Sequence, residues 1–205
     1  MALHLTFDDG PDPVWTPVVL DALAAAGATA TFFVLGPRVR AHPDLVRATV
    51  AAGHRVEPHA DQHDRHDRMD RHQIRADTDA VVDALRAVDV EPTRWRTPWG
   101  LVTDDTRRVA DDVGLALVGW DADTHDWRGD LAEEMVVAIK REAPNGGIVL
   151  AHDGLGPGAT RPGCAETARL IPMAAAWGVA RGLTLEPLPE PRAAPATLAF
   201  AGKRP

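Results

Sequence analysis

Short apolar runs alternate along the chain with longer segments in which apolar residues recur at helical spacing. Most of the runs are bounded by Gly, Pro or Asp, which is typical of buried strands. Strands that alternate with helices are usually parallel and joined by crossover helices, so the pattern predicts an α/β fold. The seven predicted strands cover residues 3–7, 28–35, 54–57, 94–97, 115–120, 147–151 and 183–188.

Capping residues predict where the helices begin. Thr16 followed by Pro17 has the pattern of an N-cap and a first helical residue. Asp70 and Asp130 each stand three residues before a Gln or Glu that can complete a capping box. The predicted helices cover about residues 16–26, 43–52, 70–88, 103–113, 130–142 and 166–179.

The chain is long enough for one large domain. Its 205 residues are 45% hydrophobic and 25% charged, an ordinary composition for a protein that buries a sizeable core. Such a chain forms either an α/β barrel or an open doubly wound sheet. The last residues are rich in Pro and Ala, which predicts little order. We therefore expect one domain over residues 1–188 and a tail over residues 189–205.

Charge and cysteine content narrow the function classes. The formal net charge of -8 offers no basic surface for a phosphate backbone, so no nucleic acid partner is expected. Cys164 is alone in the sequence, which rules out an intramolecular disulfide and a cysteine-rich zinc site. No segment has the pattern of a signal peptide or the roughly 18 apolar residues of a membrane span. The expectation is a cytoplasmic enzyme with no membrane partner, and the oligomeric state stays open.

Residues capable of chemistry follow the predicted strands. Asp8 and Asp9 end the first strand, His59 and His63 follow the third, and His152 follows the sixth. The carboxyl ends of parallel strands share one rim, where barrel enzymes assemble their active sites, so these segments should converge. Polar residues scattered at random would fall at both ends of the strands. The one-sided placement therefore predicts a functional site.

The adjacent carboxylates Asp8 and Asp9 stand just before a Gly-Pro turn. Neighbouring side chains on a strand point to opposite faces, but where the backbone turns both can reach one cavity. A nearby cation would lower the pKa of both acids and keep them ionised, whereas without one they would repel each other. One carboxylate could then hold a metal while the other moves a proton.

His59 and His63 are four residues apart. A helical turn there would place both imidazoles on one face, at a spacing that zinc sites use, although such pairs also occur on solvated surfaces. Two histidines and one carboxylate make a three-ligand set. Such a set leaves a metal position open for water or substrate, which suits catalysis better than a closed structural site.

Three further kinds of residue fit catalysis, and each has a structural alternative. Arg96 could clamp a carboxylate by a bidentate pair or form a surface ion pair. His152 could be a capped core histidine, or an acid whose pKa a nearby carboxylate raises. Trp99 and Trp127 could be platforms for a sugar or simply core residues.

The five segments together resemble the polysaccharide deacetylase family, also called carbohydrate esterase family four or the NodB-homology domain. The resemblance covers roughly residues 3–187. One such motif is weak evidence, whereas five in the right order are specific. In chain order they are Thr6-Phe7-Asp8-Asp9-Gly10, His59 to His63, Arg96-Thr97-Pro98-Trp99-Gly100, Trp120-Asp121-Ala122-Asp123-Thr124-His125-Asp126-Trp127 and Leu150-Ala151-His152.

The resemblance implies a fold and a metal. The fold would be a single-domain, distorted, TIM-like (β/α)7 barrel. A divalent metal, usually zinc, with cobalt or nickel as alternatives, would be held by Asp9, His59 and His63. Asp8 would be the general base toward the attacking water, and Arg96 would orient Asp8.

The resemblance also implies the acid and the pocket. His152 would be the general acid toward the departing amine, and Asp126 would tune His152. A backbone N–H at Trp99 would help to bind the oxyanion. The residues that would shape the pocket for the acetyl group and the sugar are Pro98, Trp99, Gly100, Trp127 and Leu150.

The second motif departs from the family pattern. The family usually has Ser or Thr after the first histidine and often Asn before it, where this chain has Ala60 and Pro58. The usual hydrogen bond of the loop is therefore missing. Both imidazoles remain, but metal affinity and substrate placement can change through the residues around them.

Three functions are compatible with these observations. The first is a metal-dependent hydrolase that removes the N-acetyl group from an N-acetylated amino sugar or a small amino-sugar conjugate, with a small-molecule or oligosaccharide substrate. The second keeps the barrel and the metal but cleaves a non-sugar amide or a cyclic imide. The third, suggested by Ala60 and Pro58, is a non-catalytic protein that binds a metal or a carbohydrate.

Overall fold

The computed structural model describes residues 1–191, in which strands and helices alternate within one α/β domain. The strands are β1 (Ala2–Asp8), β2 (Thr31–Leu35), β3 (Arg55–Ala60), β4 (Arg94–Trp95), β5 (Ala116–Leu117), β6 (Ala122–Asp123), β7 (Gly147–His152) and β8 (Thr184–Leu185). The helices are α1 (Trp15–Ala25), α2 (Gly36–Ala41), α3 (Pro43–Ala51), α4 (Arg71–Arg86), α5 (Asp104–Val113), α6 (Ala132–Glu142) and α7 (Ala165–Ala180). Short 3-10 turns cover His66–Arg68, Pro98–Gly100 and Asp126–Arg128.

β1 lies at the centre of the sheet because three strands pair with it. β7 runs parallel to it along most of its length. The other edge of β1 pairs with β8 at its beginning and with β2 at its end. The register sets Asp8 opposite His152 on β7 and opposite Phe33 on β2. The carboxyl ends of the three strands therefore meet at one rim.

The strands form a distorted (β/α)7 barrel, as predicted. The main sheet has the order β3-β2-β1-β7-β6, with β8 beside β1, and β4 and β5 form a separate pair. That pair continues the wall beyond β3, since Arg96 donates its backbone N–H to the Pro58 carbonyl at 3.3 Å. The strand pairing around the barrel wall is therefore interrupted between β3 and β4, and this interruption distorts the barrel.

Two apolar clusters hold the strand ends in place. In the larger one, Phe7 stacks on Phe32 with the ring centroids 5.2 Å apart, and Leu5 is buried beside them. The smaller one packs around the fully buried Trp95 and Ile74, between β4 and the helices α4 and α5. Burying a side chain of this size contributes about 1.5–3 kcal/mol, so each cluster stabilises the rim above it.

α1 begins differently from the prediction. It starts at Trp15, and Asp12 supplies the capping oxygen: its Oδ1 accepts the backbone N–H groups of Val14 at 2.9 Å and Trp15 at 3.0 Å. The prediction of Thr16 as N-cap was wrong, because Thr16 lies inside the first turn. Its hydroxyl instead accepts the Asp12 backbone N–H and donates to Asp153. A hydroxyl that already has these two partners is not available to cap the helix.

The two predicted capping boxes had different outcomes. Asp70 and Gln73 form the predicted reciprocal pair at the start of α4, with both hydrogen bonds at 2.9 Å. At α6 only half of a box forms, one residue later than predicted, because the Leu131 side chain at the N-cap has no acceptor atom. Glu134, not Glu133, accepts the Leu131 backbone N–H at 2.9 Å. Two adjacent glutamates made the register of this cap ambiguous in the sequence.

The pattern missed two elements, α2 and β6. α2 has Pro37 in its first turn and is too short to show a helical period. β6 forms because Ala122 and Asp123 pair with Val149 and Leu150 of β7, which are distant in sequence. The predicted fifth strand keeps only its first part, as β5.

The chain packs onto the barrel up to the last described residues. Leu188 is buried and donates its backbone N–H to the Thr31 hydroxyl at 3.0 Å, and Glu190 pairs with Arg55 at 2.5 Å. Residues 192–205, most of the predicted tail, lie outside the described residues. No helix within residues 1–191 is long and apolar enough to cross a membrane.

Asp12→Ala should lower the free energy of unfolding by about 1–2 kcal/mol, because two N–H groups at the start of α1 lose their acceptor. Urea unfolding followed by circular dichroism measures the change. Asp44→Ala in the first turn of α3 is the matched control, since its side chain is 98% exposed and pairs with Arg47. We expect it to cost less than about 0.5 kcal/mol. Equal losses in the two variants would contradict the role of Asp12 as the cap.

Candidate active site

The carboxyl ends of the strands surround an open cavity of about 220 Å³. One water takes up about 30 Å³ of liquid volume, so the cavity can hold a ligand group of many atoms. Trp99, Trp120 and Trp127 form part of its wall. The predicted residues that line it include Asp8, Asp9, His59, His63 and His152.

The two adjacent acids reach the cavity because the backbone turns between them. Asp8 is the last residue of β1, and Asp9 follows with a φ of 74°, in the left-handed region. Both are nearly buried, at 3% and 4% exposed. Asp8 pairs with Arg96, whereas Asp9 faces the two histidines. The acids therefore have separate partners.

The two histidines come together by a different route from the helical turn considered above. His59 belongs to the end of β3, and the chain then bends so that His63 has a φ of 56°. The ring centroids lie 5.0 Å apart. The spacing of four residues works here because a strand end and a left-handed residue fold the chain back, not because of a helical face.

Asp9, His59 and His63 fit a divalent metal. One donor atom from each lies within 4.8 Å of the other two. Nε2 of His63 is 3.3 Å and Nε2 of His59 is 3.7 Å from Asp9 Oδ1, which is buried and accepts no hydrogen bond. His59 donates from Nδ1 to the Arg96 carbonyl at 2.7 Å, which leaves its Nε2 lone pair for a ligand.

The protonation states of these three residues also suit a metal. Burial lowers the pKa of His59, which favours the neutral imidazole that binds metals. Burial alone would raise the pKa of Asp9, but His63, His152 and His59 outweigh it and hold the pKa well below its ordinary value. A carboxylate and neutral imidazole are the ligand forms that Zn²⁺, Co²⁺ and Ni²⁺ accept.

Arg96 fixes Asp8 from below the cavity. It is fully buried, and its Nη1 donates to Asp8 Oδ1 at 2.8 Å and to the Thr6 hydroxyl at 2.7 Å. Nη2 donates to the Gly119 carbonyl at 2.9 Å. The pair is therefore not the bidentate clamp that the sequence suggested, because the second nitrogen is used by the backbone. The Phe33 ring lies under the guanidinium, 4.2 Å from its carbon.

His152 and Asp126 form a buried pair at the other side of the cavity. His152 Nδ1 is 2.7 Å from Asp126 Oδ1, and the His152 backbone N–H donates to Asp126 Oδ2 at 2.9 Å. Burial alone would lower the pKa of His152, but Asp126, with smaller contributions from Asp9 and Asp8, outweighs it and raises the pKa to about 9. A raised pKa favours the imidazolium at neutral pH, and Nε2 remains free of Asp126 to donate a proton.

Sequence reasoning missed the other partners of Asp126. Arg161 donates to Asp126 Oδ2 at 2.7 Å, and the Thr167 hydroxyl donates to the same oxygen at 2.7 Å. Arg161 is 8% exposed and also donates to the carbonyls of His152 and Gly154. It belongs to a Gly- and Pro-rich loop without periodicity, so no pattern in the sequence could single it out.

Asp153 is a buried acid that had no predicted role. It accepts from the Thr16 hydroxyl at 2.5 Å, and its Oδ1 has no partner among the described residues. Burial raises the pKa of Asp153 to about 7. It lies directly after His152, so the strand-end pattern pointed to this region but not to the residue itself.

Four of the five residues predicted for the pocket line the cavity. Trp99 and Trp127 are 46% and 39% exposed, and Gly100 and Leu150 lie beside them. Pro98 does not line it, because it is buried at the start of the turn that presents the next two residues. The Trp99 ring stands edge-on to His63, with centroids 5.3 Å apart. Two tryptophans beside a half-open cavity offer stacking surface for a ring.

Comparisons with known proteins all find polysaccharide deacetylases or related enzymes. The model of the family described as polysaccharide deacetylase matches residues 1–118. The chitooligosaccharide deacetylase of Bradyrhizobium sp. (strain ANU 289) is 36% identical over 203 residues, which cover 92% of this chain and 90% of that protein. The peptidoglycan-N-acetylglucosamine deacetylase of Bacillus cereus is 35% identical, over 74% of this chain and 72% of that protein.

A solved structure agrees with these relatives. The family 4 carbohydrate esterase from Streptomyces lividans, in complex with acetate, superposes with a TM-score of 0.81. It is 32% identical in sequence, and the superposition covers 89% of this chain and 90% of that one. The similarity therefore extends over nearly the whole barrel.

The pair of His152 and Asp126 should make stability depend on pH. The pKa of His152 is raised from 6.5 to about 9 on folding, so its contribution is complete below pH 6.5 and is lost as the pH rises through about 9. Between pH 6.5 and about 9.5, metal-free wild-type protein should lose on the order of 3 kcal/mol more unfolding free energy than His152→Gln. Urea unfolding at a series of pH values measures the difference.

His72→Gln is the control for the pH series. His72 is exposed on α4, so its replacement should leave the wild-type slope unchanged. If His152→Gln lost stability with pH as steeply as the wild type, folding would not raise the pKa of His152.

Proposed function

Because the chain belongs to the polysaccharide deacetylase family, we propose that it removes the N-acetyl group from an amino sugar, in a chitooligosaccharide, a peptidoglycan fragment or a smaller conjugate. The reaction is hydrolysis of a carbon–nitrogen bond to acetate and an amine. One observation carries the proposal: Asp8, a carboxylate held by an arginine, and His152, a histidine paired with the buried Asp126, line the same cavity. The names of the relatives support the amino-sugar substrate.

We infer that Asp9, His59 and His63 would hold the divalent metal, zinc or alternatively cobalt or nickel. When bound there, such a cation supplies Lewis acidity, which lowers the pKa of water and polarises a carbonyl. His59 keeps its ligating nitrogen directed by the hydrogen bond to the Arg96 carbonyl. Arg96 thus supports the metal site with its backbone and Asp8 with its side chain.

Asp8 acts as the general base in this proposal. Arg96 binds one oxygen of the carboxylate and keeps it in place at the cavity wall. Asp8 takes the proton of the attacking water as the new carbon–oxygen bond forms at the acetyl carbon. Burial of the ion pair excludes solvent from behind the base, so the carboxylate meets water only from the cavity side.

His152 acts as the general acid. An amide anion is a very poor leaving group, so the nitrogen must gain a proton as the carbon–nitrogen bond breaks. Asp126 holds the imidazolium by Nδ1, which leaves the Nε2 proton for the departing nitrogen. Arg161 and Thr167 fix Asp126 in turn, so the acid has a defined direction. The proton that Asp8 has taken replaces the one that His152 gives.

The pocket residues complete the proposal. Trp99 and Trp127 provide stacking surface for the sugar ring, and Leu150 gives an apolar contact for the acetyl methyl. A backbone N–H at Trp99 would bind the oxyanion that develops on the carbonyl. Because all groups needed for the reaction surround one cavity, a catalytic role is favoured over the non-catalytic alternative raised by Pro58 and Ala60.

Asp8→Asn and His152→Gln should each lower kcat/KM for acetate release from N-acetylated chitooligosaccharides by about 10²- to 10⁴-fold, because each removes one proton-transfer group. A coupled acetate assay on zinc-loaded protein measures the rates. Asp111→Asn makes the same chemical change on the exposed face of α5 and should keep full activity. Wild-type activity in either cavity variant would overturn the assigned roles.

Zinc retention should depend on the three proposed ligands. After dialysis against limiting Zn²⁺, elemental analysis should find about one zinc per wild-type chain and far less in Asp9→Ala and His63→Ala. His72→Ala, at an exposed histidine on α4, should bind zinc as the wild type does. Stoichiometric zinc in Asp9→Ala would show that Asp9 is not needed to hold the metal and would contradict the proposed site.

A further inference from the structure

Residues 61–63, which we name the ligand loop, carry the chain from the end of β3 to the second proposed metal ligand. His63 has a φ of 56°, in the left-handed region. A non-glycine residue there costs about 1–2 kcal/mol and persists only where surrounding contacts hold it. The loop therefore needs a support that outweighs this cost and fixes the direction of the imidazole.

Asp77 on α4 contacts both residues that precede His63. Its Oδ2 accepts the backbone N–H of Asp61 at 3.0 Å, and its Oδ1 accepts the backbone N–H of Gln62 at 2.6 Å. Asp77 is only 8% exposed. Hydrogen bonds to an ionised acceptor are stronger than neutral ones, and burial shields them from competing water. One carboxylate thus fixes two consecutive peptide groups.

Asp77 is itself held on a rigid element. α4 begins with the capping box of Asp70 and Gln73. Ile74 and Val81, about one turn to either side of Asp77, are fully buried. The packing of α4 against the barrel therefore anchors the carboxylate of Asp77. Through its two hydrogen bonds, that carboxylate fixes the position of the ligand loop.

Other contacts of the ligand loop are weaker. Ala60 contributes only a methyl group where a hydroxyl would offer a hydrogen bond. The Asp61 side chain pairs with Arg40 at 2.8 Å, but the Arg40 side chain is 49% exposed, and exposed pairs contribute about 0–1 kcal/mol. The Gln62 side chain donates to Asp61, inside the same loop. Asp77 differs from these contacts because it holds the backbone of the loop, through two hydrogen bonds from one buried carboxylate.

We propose that Asp77 is a positioning residue that presets His63 for metal binding by fixing the backbone of the ligand loop. Asp77 thus supports the loop from α4, whereas the methyl group of Ala60 offers the loop no hydrogen bond. The inference rests on the proposed metal site of Asp9, His59 and His63. It extends that site by a residue that touches neither the metal nor the substrate.

Asp77→Asn is the direct test. Asparagine keeps the shape but has one acceptor oxygen, and its NH₂ group meets one of the two N–H donors. The dissociation constant for Zn²⁺, measured by competition with a chromophoric chelator, should rise at least about tenfold, while the metal-free variant stays folded by circular dichroism. Binding is read without catalysis, so the result does not depend on whether the chain cleaves N-acetyl groups.

Asp79→Asn is the matched control, two residues away on the opposite face of α4, where the half-exposed Asp79 pairs with Arg75. It should bind Zn²⁺ as tightly as the wild type, and Arg40→Gln should weaken binding less than about threefold. If Asp77→Asn bound Zn²⁺ as tightly as Asp79→Asn, the proposal would be overturned. This holds even if Asp77→Asn had a lower melting temperature, because a loss of stability alone would show only a structural role. If Asp77→Asn does not fold, Asp77→Glu, which displaces the acceptor but keeps its charge, is judged by the same criterion.

The same titration separates the two proposals. A wild-type protein that binds no Zn²⁺ would overturn the metal site and the role of Asp77 together. Tight binding in the wild type with a weakened Asp77→Asn variant supports Asp77 even if no acetate is released from amino sugars.

Discussion

The parallel register of β1 against β7 determines the geometry on which the rest of the site depends. It sets Asp8 opposite His152 on adjacent strands, which run about 4.8 Å apart. The register is fixed because Leu3, Leu5 and Phe7 alternate into the core, and a slip by one residue would exchange this apolar face of β1 with the face that carries Thr6 and Asp8. Packing at the bottom of the barrel thus places the proposed base beside the proposed acid at its top.

Burial makes the pairing of charges at this rim obligatory. An isolated ion beneath the cavity would cost several kcal/mol, so the carboxylates of Asp8 and Asp126 have cationic partners. Asp8 has Arg96, and Asp126 has both His152 and Arg161. These acids are all aspartates, so the differences in their chemistry come from the partners that surround each carboxylate. Asp9 differs again, since its unpaired oxygen faces two imidazoles, an arrangement that fits a bound cation.

Backbone strain is concentrated where the side chains must converge. Of the five non-glycine residues with positive φ among residues 1–191, Asp9, His63 and Trp99 line the cavity, and His125 directly precedes Asp126. Such conformations persist where surrounding contacts over-determine them, and they cluster at functional sites. The contacts that hold them come from elements distant in sequence, as Asp77 illustrates for the ligand loop.

The sequence by itself determined the alternation of strands and helices and the position of Asp8 and His152 at strand ends, because periodicity and capping are local properties of the chain. It also determined the family, because the five motifs stand in order. Only the tertiary structure decided that His63 reaches Asp9 through a left-handed turn, and that Arg161 pairs with an acid 35 residues away. Those contacts depend on how separate segments pack and on which buried charges must be neutralised, and no local pattern in one sequence encodes them.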